Sequence, residues 1–245
     1  MKFEDMINNV ILGDCYEVIK NIPDKSIDLI LTDPPYDFHC GTINKTGIFK
    51  NRIVAPGQEI VNMNINNGYD ISILKEFVRV LKNINIFIWC NKEQIRDYLN
   101  FFADYDVSFE ILTWHKTNPT PLTKNTFLPD TEYCLYFREK RKVTLNDGYE
   151  LKSKYYITST NKSDKEDFLH PTIKPLEIIK KQILHTTQEN DIVLDCFCGS
   201  GTTCVACKNT NRKYIGIELN PKWHKVAVDR LNNVQANGQQ TLFTM

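Results

Sequence analysis

The sequence contains no long apolar run and no excess of charge of one sign. It has no stretch of about 18 consecutive apolar residues, which a membrane-spanning helix requires. Its first five residues include Glu4 and Asp5 and lead into no apolar core, so we expect no secretory signal. The 30 basic and 30 acidic residues cancel, which argues against a protein that coats nucleic acid by bulk charge. We therefore expect a cytoplasmic protein without a membrane partner.

Glycine and proline are sparse, with 10 of each, and no internal repeat or low-complexity tract occurs. The chain is 42% hydrophobic and 24% charged, which is typical of a globular protein. Its 245 residues suit one large α/β domain spanning residues 1–245. Eight cysteines without a secretory signal indicate reduced thiols rather than disulfides.

Apolar runs rich in β-branched and aromatic residues alternate with helical segments. Strands are predicted at Val10–Leu12, Ile27–Leu31, Ile84–Trp89, Phe109–Trp114, Glu132–Phe137, Ile192–Asp195 and Tyr214–Glu218. Helices are predicted at Cys15–Asn21, Ile71–Lys82, Lys92–Phe102, Pro175–Thr187, Thr202–Asn209 and Lys222–Asn232. The alternation predicts a three-layer α/β fold with a mostly parallel, seven-stranded sheet. Ligands of such sheets bind at the carboxyl ends of the strands, so residues that follow strands are the candidates for chemistry.

The segment Thr32–Tyr36 directly follows a predicted strand and contains two consecutive prolines. Prolines fix their own φ and restrict the residue before them, so this is a stiff turn that presents Asp33 and Tyr36 together. The Asp33 carboxylate and the Pro34 carbonyl are hydrogen-bond acceptors, and Tyr36 adds an aromatic face. This set suits a flat ring that bears an exocyclic amino group. For the segment alone, a solvated aspartate after a proline-ended strand remains the alternative.

A glycine-rich turn, Asp195-Cys196-Phe197-Cys198-Gly199-Ser200-Gly201, follows another predicted strand and opens a helix. Glycines let the backbone turn tightly and approach a ligand closely. The turn lacks the third glycine of the dinucleotide fingerprint and the lysine of a Walker loop, so a phosphate ligand is not indicated. The next strand ends in Glu218, where α/β folds hold a ribose hydroxyl pair. The combination indicates a nucleoside, with a plain helix start and a surface acid as the alternative.

Two further positions are candidates for ligand contacts. Thr172 and Lys174, in the segment His170–Pro175, are suited to grip an anionic group such as an amino-acid carboxylate. The alternative for this segment is a helix start with proline in its first turn. Asp14, at the end of the first strand, is suited to accept from an adenine amino group or to cap the next helix.

Together these motifs resemble the S-adenosylmethionine-dependent amino-methyltransferases of DNA. Asp33–Tyr36 looks like the catalytic motif of that family, and Phe197–Gly201 looks like its F-x-G-x-G cofactor loop. His170–Pro175 and Trp114–Pro119 are similar to segments of its permuted β class. In that class the catalytic motif precedes the cofactor loop, as it does here, which implies a Rossmann-like methyltransferase fold with circularly permuted motif order. Cys196 departs from the family pattern, which commonly has proline there.

The resemblance implies S-adenosylmethionine as the cofactor and assigns residues to two sites. The implied catalytic residues are Asp33, Pro34, Pro35 and Tyr36. The implied cofactor-binding residues are Asp14, Cys15, Thr172, Lys174, Asp195, Phe197, Cys198, Gly199, Ser200, Gly201, Glu218 and Leu219. We expect no metal site, because the cysteines between residues 196 and 207 lie in the cofactor loop or a predicted helix, where ligation would distort the loop.

The implied function is site-specific DNA methylation, of the kind found in restriction-modification, at N6 of an adenine. The target amine is inaccessible inside a duplex, so the base must be extruded. Aspartate at position 33 favours adenine, and cytosine-N4 methylation is the main alternative. A non-catalytic DNA-binding relative and a methyltransferase of RNA or protein are less favoured, because both motifs are intact and their order is that of the β class. The implied partners are DNA, a cognate restriction endonuclease and a second copy of the chain, in a bacterial or phage-encoded setting.

Two long polar segments, His39–Tyr69 and Arg138–His170, fit no predicted element. Loops of this length in a compact domain are usually functional. We expect residues 39–69 to form a mobile loop that closes over substrate, and residues 138–170 to be a target-recognition insertion. The residues expected to contact DNA phosphates are Arg138, Lys140, Arg141, Lys142, Lys152 and Lys154. All of this requires the tetrapeptide Asp33–Tyr36 and the glycine turn to meet at one rim of the sheet.

Overall fold

A computed structural model describes residues 1–36, 69–119, 127–143, 145–160 and 173–236. Its strands are β1 (Asn9–Leu12), β2 (Leu29–Thr32), β3 (Asn85–Cys90), β4 (Val107–Lys116), β5 (Thr131–Glu139), β6 (Tyr155–Thr158), β7 (Ile192–Asp195) and β8 (Lys213–Glu218). Its helices are α1 (Phe3–Met6), α2 (Cys15–Val18), α3 (Ile73–Val80), α4 (Ile95–Phe102), α5 (Leu176–Thr186), α6 (Thr202–Asn209) and α7 (Pro221–Ala236). Within those ranges, no helix has the length and apolar character needed to cross a bilayer.

The strands form one sheet in the order β1-β8-β7-β2-β3-β5-β4-β6. Neighbours from β1 to β3 in this order are parallel. β5 is antiparallel to both β3 and β4, and β6 is parallel to β4, so β5 is the one reversed strand in the described part of the sheet. The predicted mostly parallel α/β sheet is therefore confirmed. β7 from the second half of the chain lies beside β2 from the first, which brings the two motif-bearing strands together.

The described sheet has eight strands rather than the predicted seven. The additional strand, β6, lies within the charge-dense segment 138–170 and pairs with Thr113–Lys116 of β4. Only Tyr156 of its four residues is buried, because an edge strand needs one apolar face at most. Such a strand lacks the continuous apolar run by which the others were predicted. Residues 39–68 and 161–172 lie outside the described residues, so the mobile loop and much of the recognition insertion stay predictions.

Helices cover both faces of the sheet, which explains why its central strands are apolar throughout. All residues of β2 and β3 are buried. Along β2, Ile30 packs in one cluster with Phe77 of α3, whereas Leu29 and Leu31 pack in the other with Ile183 of α5. α2, α3 and α4 contribute to the first cluster, and α5, α6 and α7 contribute to the second. Side chains alternate across a strand, so each central strand needs apolar residues at every position.

Candidate active site

The carboxyl ends of β1, β8, β7 and β2 border one cavity of about 540 Å³. This volume is within the range of small-molecule sites. Asp33 and Pro35 line it after β2, and the glycine turn lines it after β7. The two motifs therefore meet at one rim of the sheet, as the sequence predicts. The predicted cofactor-binding residues on the wall are Asp14, Cys15, Lys174, Asp195, Phe197, Cys198, Gly199, Ser200, Glu218 and Leu219.

Asp195 joins the two motifs at the ends of their strands. Its Oδ1 accepts a hydrogen bond from the Thr32 hydroxyl at 2.8 Å and from the Phe197 amide at 3.1 Å. Asp195 is buried, and this burial raises its pKa to about 6 against the hydrogen bonds that lower it. The carboxylate thus fixes the end of β2 and the start of the glycine turn relative to each other.

The glycine turn is held in a conformation that its glycines require. Gly199 and Gly201 have φ of +52° and +81°, a region that other residues rarely adopt. Gly201 is the N-cap of α6, and a Cβ placed on it would lie 2.9 Å from the Cβ of Ala227 in α7. The Arg230 guanidinium donates to the Ser200 carbonyl at 2.7 Å from the same helix. Close packing against α7 therefore fixes the conformation of the glycine turn.

Glu218 ends β8 on the cavity wall, next to the glycine turn. Its Oε2 accepts from the Gly199 amide at 2.9 Å, and its Oε1 accepts from the Asn220 amide at 2.8 Å. Burial raises the pKa of this carboxyl. A carboxylate has about four lone-pair sites, so each oxygen keeps capacity for a hydroxyl donor. The side chain therefore keeps acceptor capacity toward the cavity, and its contact with a ribose stays a prediction.

Asp14 caps a helix and also lies on the cavity wall. Its side chain accepts from the Tyr16 amide at 2.9 Å and caps α2, and it also lines the cavity. Tyr69 closes the same side, with its ring edge-on to Phe197 at a centroid distance of 5.5 Å. Its hydroxyl donates to the Tyr98 hydroxyl at 2.8 Å. Tyr69 is the last residue of the polar segment 39–69, and no pattern in the sequence marks it as a site residue.

Asp33 is held by two donors in a buried polar cluster. Its Oδ1 accepts from the Tyr36 hydroxyl at 2.8 Å, and its Oδ2 accepts from the Lys174 ammonium. Burial raises the pKa of the Asp33 carboxyl, and the neighbouring Glu132 carboxylate adds to this, against the opposing effect of Lys174. Pro34 is buried, while the Pro35 carbonyl accepts from the Gln94 amide at 3.3 Å. The stiff turn thus aims Asp33 into the cavity with Tyr36 bonded to it.

Lys174 lies on the cavity wall, but its partners differ from those that the sequence suggested. Its Nζ is bonded to Asp33, lies 3.2 Å from the Tyr36 hydroxyl and lies 3.1 Å from Glu132 Oε2. Although burial lowers the pKa of Lys174, the two carboxylates outweigh it and raise that pKa. An ammonium has three N–H donors, and three protein oxygens surround this one. Lys174 therefore belongs to the Asp33 cluster, and its expected grip on a ligand carboxylate stays a prediction. Thr172 lies outside the described residues.

Glu132 and Trp89 complete the cluster and were not predicted as site residues. Glu132 is the second residue of β5, and its Oε1 lies 2.6 Å from the Nζ of Lys116. Burial raises its pKa, but Lys174 and Lys116 outweigh this and lower the pKa to about 2. Trp89 is the penultimate residue of β3. Its ring lies 5.2 Å from the Lys174 Nζ, and its buried Nε1 has no hydrogen-bond partner in the described ranges. The available sequence signals were an acidic residue at the start of an apolar strand and an aromatic residue at the end of one.

With this geometry in hand, comparison with known proteins identifies the family. Residues 27–229 match the sequence model of the N6_N4_Mtase family, described as DNA methylase. The chain belongs to this DNA methylase family. It is 34% identical to the type II methyltransferase M2.LlaDCHI of Lactococcus lactis subsp. cremoris, over 90% of this chain and 87% of that protein.

Solved structures give this DNA methylase the same fold. The crystal structure of the M1.HpyAVI–SAM complex matches with a TM-score of 0.67 and 27% identity, over 91% of this chain and 98% of that chain. The PvuII DNA methyltransferase (cytosine-N4-specific) matches with a TM-score of 0.67, over 94% of this chain and 93% of that chain. That second likeness, at 16% identity, concerns the fold alone. The Rossmann-like methyltransferase fold predicted from the motifs is confirmed.

The basic residues 138–142 of this DNA methylase lie far from the cavity. Arg138 pairs with Asn85 at the start of β3, whereas the cavity lies at the other end of that strand, where Cys90 pairs with Tyr133. Five residues of strand separate these positions by about 17 Å. The structure therefore does not bring Arg138, Lys140, Arg141 and Lys142 together with the residues of the cavity. The cause is the reversed direction of β5, which places its C-terminal end at the end of the strands away from the cavity.

The lysines of the 138–154 stretch are also engaged with nearby carboxylates. Lys140 lies 3.2 Å from Asp106, and Lys152 lies 3.0 Å from Asp147. Lys154 lies 2.9 Å from Glu110 beside the outer strand β6, so its position does not bring it to the cavity rim. Charges paired in this way give a weaker positive surface than the sequence suggested. No cluster of three or more His, Cys, Asp or Glu side chains suited to a metal ion occurs in the described ranges.

Proposed function

We propose that this DNA methylase transfers a methyl group from S-adenosylmethionine to the N6 amino group of an adenine in DNA. The observation that carries the proposal is that one and the same cavity is lined by Asp33 on one side and by Glu218 and the glycine turn on the other. One side presents an acceptor for an amine, and the other presents a carboxylate for a ribose. Membership in the DNA methylase family and a structural relative solved as a SAM complex support this reading.

The described residues fit S-adenosylmethionine. Glu218 would hold the ribose hydroxyls, because two backbone amides fix both of its oxygens at the wall. Phe197 and Tyr69 would border the adenine ring, and Asp14 is placed to accept from its amino group. When bound, S-adenosylmethionine supplies an activated methyl group whose carbon–sulfur bond breaks as the target nitrogen takes the methyl.

Asp33 makes the target amine a better nucleophile. The amine of adenine is a weak nucleophile because its lone pair is delocalised into the ring. When the Asp33 carboxylate and the Pro34 carbonyl accept its N–H groups, a pyramidal nitrogen with an available lone pair is favoured. Positive charge develops on this nitrogen, and preorganised acceptors in a water-excluded site stabilise such charge strongly. The proton that the nitrogen loses passes to Asp33 or to water.

Tyr36 supports the extruded base. Extrusion from a duplex costs a few kcal/mol. Stacking of a base on an aromatic ring returns about 1–3 kcal/mol. Tyr36 also donates its hydroxyl to Asp33 at 2.8 Å, so it orients the acceptor as well.

Adenine is preferred over cytosine because of the aspartate at position 33. Cytosine-N4 methylation remains the second candidate, because it needs the same amine acceptor and occurs on the same fold in the PvuII enzyme. The test is incubation of the protein with labelled S-adenosylmethionine and with DNA, RNA and protein in parallel. Hydrolysis of the DNA to nucleosides should yield N6-methyladenine. If the product is N4-methylcytosine, the target base is cytosine rather than adenine. Label in RNA or protein alone would overturn the proposal.

Asp33→Asn tests the role of the acceptor, because it keeps the shape and removes the charge. We expect cofactor affinity within about threefold of the wild type and a turnover lowered by about 10²–10³-fold, the usual effect of removing one preorganised electrostatic group. Tyr36→Ala should lower turnover less, since stacking is worth about 1–3 kcal/mol. Single-turnover methylation and titration with S-adenosylhomocysteine measure these quantities. An Asp33→Asn variant within tenfold of the wild-type rate would contradict the assignment.

The proposal extends to the setting in which the enzyme acts. We infer a bacterial or phage-encoded enzyme of the cytoplasm that acts as a homodimer beside a cognate restriction endonuclease. The type II methyltransferase names of relatives support the restriction-modification setting. Mapping of methylated bases in a genome exposed to the enzyme would reveal the recognised site, and sedimentation would give the oligomeric state.

A further inference from the structure

Four charged side chains of alternating sign form a row at the back of the cavity. Lys116 of β4 contacts Glu132 of β5 at 2.6 Å, and Glu132 contacts Lys174 at 3.1 Å. Lys174 is bonded in turn to Asp33 after β2. The side chains are 7–24% exposed, so solvent screens these charges weakly. The row is neutral as a whole, and Asp33 is its end in the active site.

Asp33 has both of its oxygens engaged in this structure. Tyr36 donates to Oδ1 and Lys174 donates to Oδ2. The proposed reaction asks Asp33 to accept an amine N–H while positive charge builds on that nitrogen. An ammonium bonded to the same carboxylate opposes this charge, and the opposition is strong where water is excluded. The arrangement seen here is therefore a resting one, and Lys174 has to loosen its contact with Asp33 before the methyl is transferred.

Glu132 offers Lys174 a second carboxylate within reach. Its Oε2 is buried and lies 3.1 Å from Nζ, so the ammonium already contacts this carboxylate as well as Asp33. A small movement of the ammonium would strengthen its contact with Glu132 Oε2 and release Asp33 Oδ2. Lys174 would stay paired throughout, which avoids the large penalty of an uncompensated buried charge.

We propose that Glu132 is a positioning residue that takes the Lys174 ammonium from Asp33 when the target amine binds. The inference rests on the proposed function, because it is the amine that competes for Asp33. Lys174 is then a positioning residue as well. A purely structural ion pair at Glu132 would contribute to stability without this exchange.

Glu132→Gln tests the exchange by removing the second carboxylate while keeping the shape. Lys174 then has only Asp33 as a charged partner in the row and stays on it. We expect the single-turnover rate to fall by about tenfold or more, with the affinities for cofactor and DNA within about threefold. The matched control is Glu17→Gln, which makes the same change in the exposed pair of Glu17 with Lys20 and should keep the wild-type rate.

The double variant Glu132→Gln/Lys174→Met separates the exchange from a structural role. Removing the cation frees Asp33, so the double variant should methylate at least about threefold faster than Glu132→Gln alone. If Glu132 only stabilised the fold, the double variant would be as slow as the single variant or slower. Where Glu132→Gln does not fold, Glu132→Asp keeps the charge and shortens the reach, and the same rescue by Lys174→Met is expected.

The possible results distinguish this inference from the proposed function. A wild-type protein that methylates no amine of DNA overturns the proposed function and the inference together. An active wild type with Glu132→Gln at the same rate, or with a double variant no faster than the single, overturns the inference alone. A slow single variant that is rescued by the loss of Lys174 supports it.

Discussion

Gly201→Ala is the sharpest test of how the glycine turn is built. Gly201 has φ of +81°, and its added Cβ would lie 2.9 Å from Ala227 Cβ and 3.2 Å from Ala227 Cα. An L-residue in the left-handed region costs roughly 1–2 kcal/mol. Two carbons prefer a separation of about 3.5–4.0 Å, so the contact adds the usual overpacking penalty of about 1–3 kcal/mol. We expect Gly201→Ala to lower the free energy of unfolding by about 2–5 kcal/mol.

Urea denaturation followed by circular dichroism measures this change, with an m-value close to the wild type. Ala227→Gly is the companion variant, because it removes the Cβ that clashes and alone costs about 1 kcal/mol in a helix. The double variant should be more stable than the sum of the two single changes by at least about 1 kcal/mol, since Ala227→Gly removes the Cβ that clashes in Gly201→Ala. Simple additivity within about 0.5 kcal/mol would refute the packing argument. A Gly201→Ala variant as stable as the wild type would refute the assigned backbone conformation.

Two further predictions concern the charged residues. Lys140→Glu/Lys142→Glu should leave the DNA affinity within about twofold and the slope of log affinity against log salt unchanged, because these residues lie about 17 Å from the cavity end of β3; a slope reduced by about 1 for each residue would return them to the interface. The pKa of Asp195 is 3.8 in the unfolded chain and about 6 in the folded protein, so between these two pH values the folded protein keeps a proton that the unfolded chain has lost. The free energy of unfolding should therefore fall by up to about 3 kcal/mol as pH rises from 4 to 7. In urea unfolding at several pH values, Asp195→Asn should lack this decrease in the free energy of unfolding. Equal decreases in the wild type and the variant would contradict the raised pKa of Asp195.

Local chemistry made the two motifs and their strands predictable from the sequence. The apolar β2 and β3 are buried on both faces, so their composition alone marks them as central strands. The prolines after β2 and the glycines after β7 define tight turns through their own backbone limits. Because ligands bind where parallel strands end, the sequence also indicates that Asp33 and Glu218 face one cavity. The edge strand β6 was missed because its single buried residue leaves no apolar run.

The sequence by itself determined the α/β class, the order of the motifs and many of the residues that line the cavity, because these depend on short segments and their local preferences. Tertiary structure alone decided the direction of β5, since the alternation of side chains along a strand is the same whichever way the strand runs. That reversal places Glu132 at the cavity end of the strands and residues 138–142 at the opposite end. It also gives Lys174 two carboxylate partners from distant parts of the chain, a pairing that no local pattern encodes.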